Sequence, residues 1–219
     1  MRTPAEIYEA YRIMPNLQLH QLRVASVAKM ICGAFAVPVN IKNIVVTCLF
    51  HDMGNIVKSD FDQFPDSFRG SQPREHWEAV KREHIEKYGS NAHEANLAIA
   101  WELGLSEDVL RLMDDISFSK LGATRDEGSF EQKISEYADL RVGPYGVLSL
   151  DDRIADIKSR YAGRPGSETP EDEARFNELM QAAHDIERQL FERTSLKPVE
   201  INDESVALLI KELRTYPII

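Results

Sequence analysis

The segment Ile44-Val45-Val46-Thr47-Cys48-Leu49-Phe50 is apolar but for one threonine, and it runs directly into His51-Asp52-Met53-Gly54. An apolar face that ends in an imidazole and a carboxylate constrains this chain more than any other feature. A helix opening near Asn40 puts Ile44, Cys48, His51 and Asp52 on one side and closes at Gly54 and Asn55, both suited to a left-handed terminal turn. Read alone, Ile44-Val45-Val46-Thr47 also fits a short buried strand. Burying a carboxylate costs several kcal/mol unless it is paired or binds a metal, so Asp52 demands a partner. At a helix C-terminus it also meets the negative end of the dipole, which favours a cation. His20 repeats the situation, sharing its face with Val24, Val27 and Ile31. Two imidazoles with carboxylate oxygens suit Mn, Fe, Co, Ni or Zn better than Ca. A third helix would have to bring a further carboxylate, and spacing alone does not choose it.

Helix start and stop signals recur along the rest of the chain, whereas alternating runs long enough for a sheet are nearly absent. The expected fold class is therefore all-α. Asn16 is the candidate cap of the His20 helix. Residues 56–72 read as a long loop with Phe61, Phe64 and Phe68, and Arg74 to Lys87 as a water-facing helix with Glu78/Arg82 and Glu83/Lys87 at the four-residue spacing. Asn91 with Glu94 opens a helix reading His93, Leu97, Ala100 and Trp101, and Ser106 caps the next, through Ile116. Phe118 to Ser129 reads as a second loop, and Glu131 to Val142 as a helix closed by Gly143-Pro144-Tyr145-Gly146. Ser149 with Asp152 opens a helix that turns Leu150, Ile154, Ile157 and Tyr161 inward. Ala162-Gly163-Arg164-Pro165-Gly166-Ser167 is the best linker. Beyond it, Thr169-Pro170 starts a long helix with Phe176, Met180, Ala183, Ile186 and Leu190 in a stripe. Asp203 caps a last one carrying Val206, Leu209, Ile210 and Leu213. The expected division is a domain over 1–161 and, over 162–219, a linker with helices that dock on that domain or on a second subunit, which leaves room for a homodimer.

The chain has 219 residues and 26 basic against 36 acidic side chains, a net charge of −10 that repels a phosphate backbone; no Lys/Arg cluster interleaved with aromatics offsets it. Long nucleic acid is therefore not an expected partner. No apolar run approaches the ~18 residues that span a bilayer, so no membrane anchor is expected. The N-terminal stretch Met1 to Met14 carries charges and a proline where a signal peptide needs an apolar core, and the expected location is cytoplasmic. Cys32 and Cys48 lie inside apolar segments and read as reduced core thiols.

An early helical His20, the doublet His51-Asp52 followed by Met53-Gly54, and Asp139 within Ala138-Asp139-Leu140-Arg141-Val142 resemble the metal-dependent phosphohydrolases called HD-domain proteins. The resemblance covers roughly residues 16 to 161. It implies a helical bundle in which His20, His51, Asp52 and Asp139 bind one divalent metal, and it implies hydrolysis of a phosphate ester. Asp139 rests on the resemblance alone, because Ser135 and Val142 mark no clear apolar stripe around it.

Relatives with two metals carry additional histidines between the doublet and the last Asp; His76, His84 and His93 stand in that interval here. His76 and His84 lie on the charge-rich helix and read as surface residues, whereas His93, near a helix N-terminus, is a candidate for a phosphate or a second metal. After the Ser106 helix this chain reads Ile116-Ser117-Phe118, without the further histidine of some relatives. Relatives often have Lys directly after the glycine of the doublet motif; Asn55 stands there, and Lys58 is the candidate replacement. The candidate phosphate-binding set is Arg23, Lys58, His93 and Arg141. The expected cofactor is one divalent cation (Mn, Co, Ni, Fe, Zn or Mg) and the expected substrate a nucleotide or other small phosphorylated metabolite. Asp52, with Lys58, is the catalytic candidate. The alternative is a non-catalytic module that binds metal and nucleotide.

Overall fold

A computed structural model describes residues 1–62, 68, 71–161 and 170–218, the side chains of 160, 161, 170 and 171 excepted. Among the described residues there are eleven α-helices and no strand, only two isolated bridges, Phe35 with Thr194 and Val142 with Val147. The chain folds as α1 (Pro4–Ala10), α2 (Pro15–Ala34), α3 (Ile41–Phe50), α4 (Arg74–Tyr88), α5 (Ala92–Glu102), α6 (Glu107–Asp115), α7 (Leu121–Glu127), α8 (Phe130–Leu140), α9 (Leu150–Tyr161), α10 (Pro170–Phe191) and α11 (Asp203–Arg214).

α2 is the axis of the bundle. Its buried residues Leu22, Val24, Ala25, Val27, Ala28 and Ile31 share one core with Ile44 to Phe50 of α3 and with Ile134, Tyr137 and Ala138 of α8. α3 is nearly apolar throughout, which suits a helix packed on α2, α6 and α8. The strand alternative for Ile44 to Thr47 therefore gives way to helix, because the segment is covered on several sides. The stripes of α10 and α11 are taken up by the same core: Met180, Ala183, Ile186 and Leu190 pack toward α7 and α8, and Val206 and Leu213 lie along α2 and α1. A smaller cluster of Met14, Ile56, Val57, Phe61, Trp77, Val80 and Ala95 sits beneath α4.

Several local expectations are corrected. α1 was not foreseen; Thr3 and Glu6 form its capping box. Asn16 does not cap α2, which starts one residue earlier with Pro15 in its first turn and Met14 at the cap. α3 ends at Phe50, and Gly54 has φ −91°, so no left-handed turn closes it. Within residues 118–129, Leu121 to Glu127 is helical, with Leu121 and Thr124 buried. Of the ion pairs on α4, two leave the helix, Glu83 with Arg12 and Lys87 with Glu102, and one lies within it, Glu78 with Arg74. Trp101 is 76% exposed. Asn202, one residue before Asp203, caps α11. The linker at 162–167 and Phe64 lie outside the described residues.

Arg141 is the largest fully buried side chain. Its guanidinium donates to the Leu148 carbonyl, to the Pro198 carbonyl (3.2 Å) and to the Ile201 carbonyl (2.9 Å). It also donates to the Tyr137 hydroxyl (2.7 Å), which in turn donates to Glu187 of α10. α8 is thus fastened to the C-terminal helices by one cation. This corrects the expectation that Arg141 binds substrate, since its donors are spent on buried backbone. Arg141→Met strands those carbonyls, and urea denaturation is expected to show a loss of about 3 kcal/mol; a loss under about 0.5 kcal/mol contradicts the anchor.

Candidate metal centre

His20 stands on the second turn of α2, His51 and Asp52 follow the last turn of α3, and Asp139 is in the last turn of α8. Three helices therefore bring four groups to one end of the bundle. Asp139 Oδ1 lies 3.0 Å from His20 Nε2 and 3.3 Å from His51 Nε2. Asp52 Oδ2 lies 3.6 Å from His20 Nε2 and 3.8 Å from His51 Nε2. One ligand atom each from His20, His51 and Asp52 falls within 4.8 Å of the others. Side-chain exposure is 4% for His51, 20% for His20, 21% for Asp52 and 33% for Asp139, so the ring opens on its carboxylate side.

The donor set fits a divalent cation. His51 Nδ1 faces the Cys48 carbonyl at 2.9 Å, and a carbonyl only accepts, so Nδ1 carries the proton. In the neutral ring Nε2 is then a lone pair aimed at two carboxylates. Such an arrangement calls for a positive charge between them, either a proton on Nε2 or a metal. Without metal, the proton plays that part: burial opposes the charge, but Asp52 and then Asp139 outweigh it and push His51 up to about 9. For Asp139, burial works against ionisation, while His20 and His51 hold the carboxyl well below its ordinary range.

Residues that the sequence did not single out build the surroundings. Gln21, fully buried on α2, accepts the Asp52 backbone N–H at 3.2 Å and fixes the doublet from behind. Gly54 has no room for a side chain: a Cβ there would stand 2.6 Å from Ala95 Cβ and 2.8 Å from Asn96 N. Its N–H donates to Asn96 Oδ1, and Asn96 in turn donates to Asn55 at 3.5 Å. Asn55, where relatives often have Lys, is thus a buried amide facing α5. Glu136, one turn before Asp139, is 3% exposed and accepts the Ser117 N–H at 2.9 Å. Burial first and Asp139 second push its carboxyl up to about 8. The i, i+3 spacing of Glu136 and Asp139 was the one available sequence signal for it.

The remaining candidates are placed as follows. Arg23, one turn after His20, lies with Nε 3.4 Å from Asp203 of α11. Lys58 ends a short 3-10 turn, Asn55–Lys58, and lines a cleft of about 480 Å³ with Arg74, Glu78, Lys81 and Arg82. His93 is exposed and pairs with Asp114 of α6 at 2.8 Å. His84 is buried, not a surface residue: its Nδ1 donates to the Val80 carbonyl at 2.9 Å, and it lines a different cavity with Tyr11 and Tyr88.

A helical bundle that gathers two imidazoles and two carboxylates at one end defines a class, the His–Asp domain characteristic of metal-dependent hydrolases. The chain belongs to the HD-domain family, whose model matches residues 18–157. No curated protein and no solved structure matches the chain. No helix among the described residues is long and apolar enough to cross a membrane.

The shifted groups predict how metal-free protein responds to pH. His51, raised from 6.5 to about 9, contributes stability in full below pH 6.5, and that contribution is lost as pH rises through 9. Glu136, raised from 4.5 to about 8, acts in the same direction between those values, because the folded state keeps a proton that the unfolded chain releases. Melting temperature in chelator is therefore expected to fall between pH 6.5 and 9, and Mn²⁺ to flatten the fall. A flat profile in chelator contradicts the charge balance described.

Proposed function

We propose that the chain is a metal-dependent phosphohydrolase acting on a small phosphorylated metabolite, a nucleotide first of all, and that His20, His51, Asp52 and Asp139 hold one divalent cation. The reading is carried by one observation: His20, His51 and Asp52 each offer a ligand atom within 4.8 Å of the others, and Asp139 Oδ1 lies within 3.3 Å of both Nε2 atoms. Nitrogen and carboxylate donors suit Mn, Fe, Co, Ni or Zn, and Mg is the hard-cation alternative. A cation held there supplies Lewis acidity toward water and toward a phosphoryl oxygen.

The chain's own groups do the rest. Asp52, fixed through its backbone by Gln21, accepts the proton that water loses as its oxygen bonds to phosphorus; the ester P–O bond breaks and the leaving oxygen takes a proton from solvent. His51, locked in one tautomer by the Cys48 carbonyl, keeps Nε2 directed at the ring while the charge there changes. Arg23, one turn after His20, and Lys58, at the end of the turn that follows the doublet, are the cations assigned to offset the negative charge of a phosphoryl group in a chain of net charge −10. The exposed edge of Asp139 leaves the carboxylate side open for substrate.

Protein purified without chelator is expected to hold about one divalent transition metal per chain, by elemental analysis, and to release phosphate from nucleotides. His51→Ala and Asp52→Ala, folded by circular dichroism, are expected to lose the metal and to lower phosphate release at least about a hundredfold. Protein that takes up no Mn, Co, Ni or Zn, or variants as active as wild type, would refute the proposal.

A further inference from the structure

The segment beyond residue 157, outside the family match, reaches back to the metal end of the bundle. Asp203, the first residue of α11, holds two things with one carboxylate oxygen: Arg23 Nε at 3.4 Å and the Val147 N–H at 3.2 Å. Val147 closes a tight turn that begins three residues after α8 ends. Val142 bridges to Val147, the Gly143 N–H donates to the Gly146 carbonyl at 2.8 Å, and the Leu148 N–H donates to the Arg141 carbonyl at 2.8 Å. Side chains pack closely on both glycines of the turn: a Cβ on Gly143 would stand 2.7 Å from Leu148 Cδ1, and one on Gly146 would displace the Asp203 carboxylate. Arg141 adds its bonds to Leu148, Pro198 and Ile201 from beneath.

All this fastening leaves Pro144 and Tyr145 exposed at the tip of the turn. Tyr145, at the tip, is 84% exposed. Scattered exposed aromatics need no explanation, but an aromatic on a turn pinned from three directions is preorganised, as a recognition residue is. Its place is defined by the tethers. Asp139 is in the last turn of the helix from which the turn emerges, and Arg23, sharing Asp203 with the turn, is one helical turn from His20. Chain geometry keeps Tyr145 within about 15 Å of the ring.

We propose that Tyr145 is a base-stacking platform, so that the substrate is a nucleoside phosphate whose phosphate lies at the ring beside Arg23 and whose base lies on the Tyr145 ring. The placement of the phosphate rests on the phosphohydrolase reading; the stacking does not. A planar base offers a π-face to a fixed phenol ring whatever its hydrogen-bonding edge, so this contact selects for a base without choosing among bases. α11, through Asp203, holds the turn and the cation in one arrangement, which makes the C-terminal extension part of the substrate site.

The test is equilibrium binding by calorimetry, with Mn²⁺ present, of adenosine 5′-monophosphate and of ribose 5-phosphate, the same compound without its base. Wild type is expected to prefer the nucleotide. The preference is expected to fall about tenfold in Tyr145→Ala and to survive in Tyr145→Phe, which keeps the ring and loses the hydroxyl. The exposure of Tyr145 makes misfolding of either variant an unneeded concern. An unchanged preference in Tyr145→Ala, or a wild type that does not distinguish the two compounds, overturns the platform. Phosphate release from the same samples separates the two readings. A nucleotide preference lost in Tyr145→Ala without any turnover overturns hydrolysis alone, and turnover of both compounds without preference overturns the platform alone.

Discussion

Asp139 Oδ1 sits between two imidazole nitrogens, 3.0 Å from one and 3.3 Å from the other, and the bundle is organised to keep it there. The three groups come from three helices, so the contact exists only when α2, α3 and α8 are in register. α8 is the element with most to hold it: Tyr137 and Arg141, on either side of Asp139, are tied to Glu187 of α10 and to the backbone at Pro198 and Ile201. The doublet is fixed from two other sides, by Gln21 on α2 and by the close approach of α5 to Gly54. A site ringed in this way is rigid because neighbouring helices close on it, without a loop to position it.

The same contact sets the electrostatics. Two carboxylates that approach one point repel each other strongly in a partly desolvated setting, and neutral imidazoles facing them with lone pairs offer no relief. A proton on His51 eases the problem in metal-free protein, and that group is accordingly pushed up to about 9. A divalent cation solves it with more charge in less space. Glu136, one turn away, stays protonated to about 8 because burial and Asp139 both discourage a further negative charge.

Much of this was legible in the sequence, and the limits have physical causes. The all-α class and most helix starts followed from caps and 3.6-residue spacing, which are local properties. His20, His51 and Asp52 stood out because a polar group on an apolar helix face contradicts its neighbours. Asp139 did not, since Ser135, Glu136 and Val142 around it are buried by α2, α10 and the C-terminal segment, none of which the local pattern contains. Arg141 was misread for the same reason: a lone basic residue beside a ligand looks like a phosphate binder until Pro198 and Ile201, nearly sixty residues away in sequence, supply its partners. Gln21, Asn96 and the turn at Tyr145 are tertiary facts throughout. The helix at Leu121 to Glu127 was lost to its glycines and short length.

α3 and α8 both end at the ring, so each offers it the negative pole of its dipole. Those poles add to two carboxylates, and the N-terminus of α2 offsets them little, because His20 stands on its second turn and the dipole acts mainly within the first. Toward a phosphate the bare ring is therefore a barrier, and only a cation reverses its sign. On the proposed reading the order of assembly is dictated: the cation enters first, the anion second, and product leaves a site that still holds its metal. Resting protein in a metal-replete setting is then loaded and waiting, and the supply of metal acts as a threshold for activity and is not consumed with each turnover.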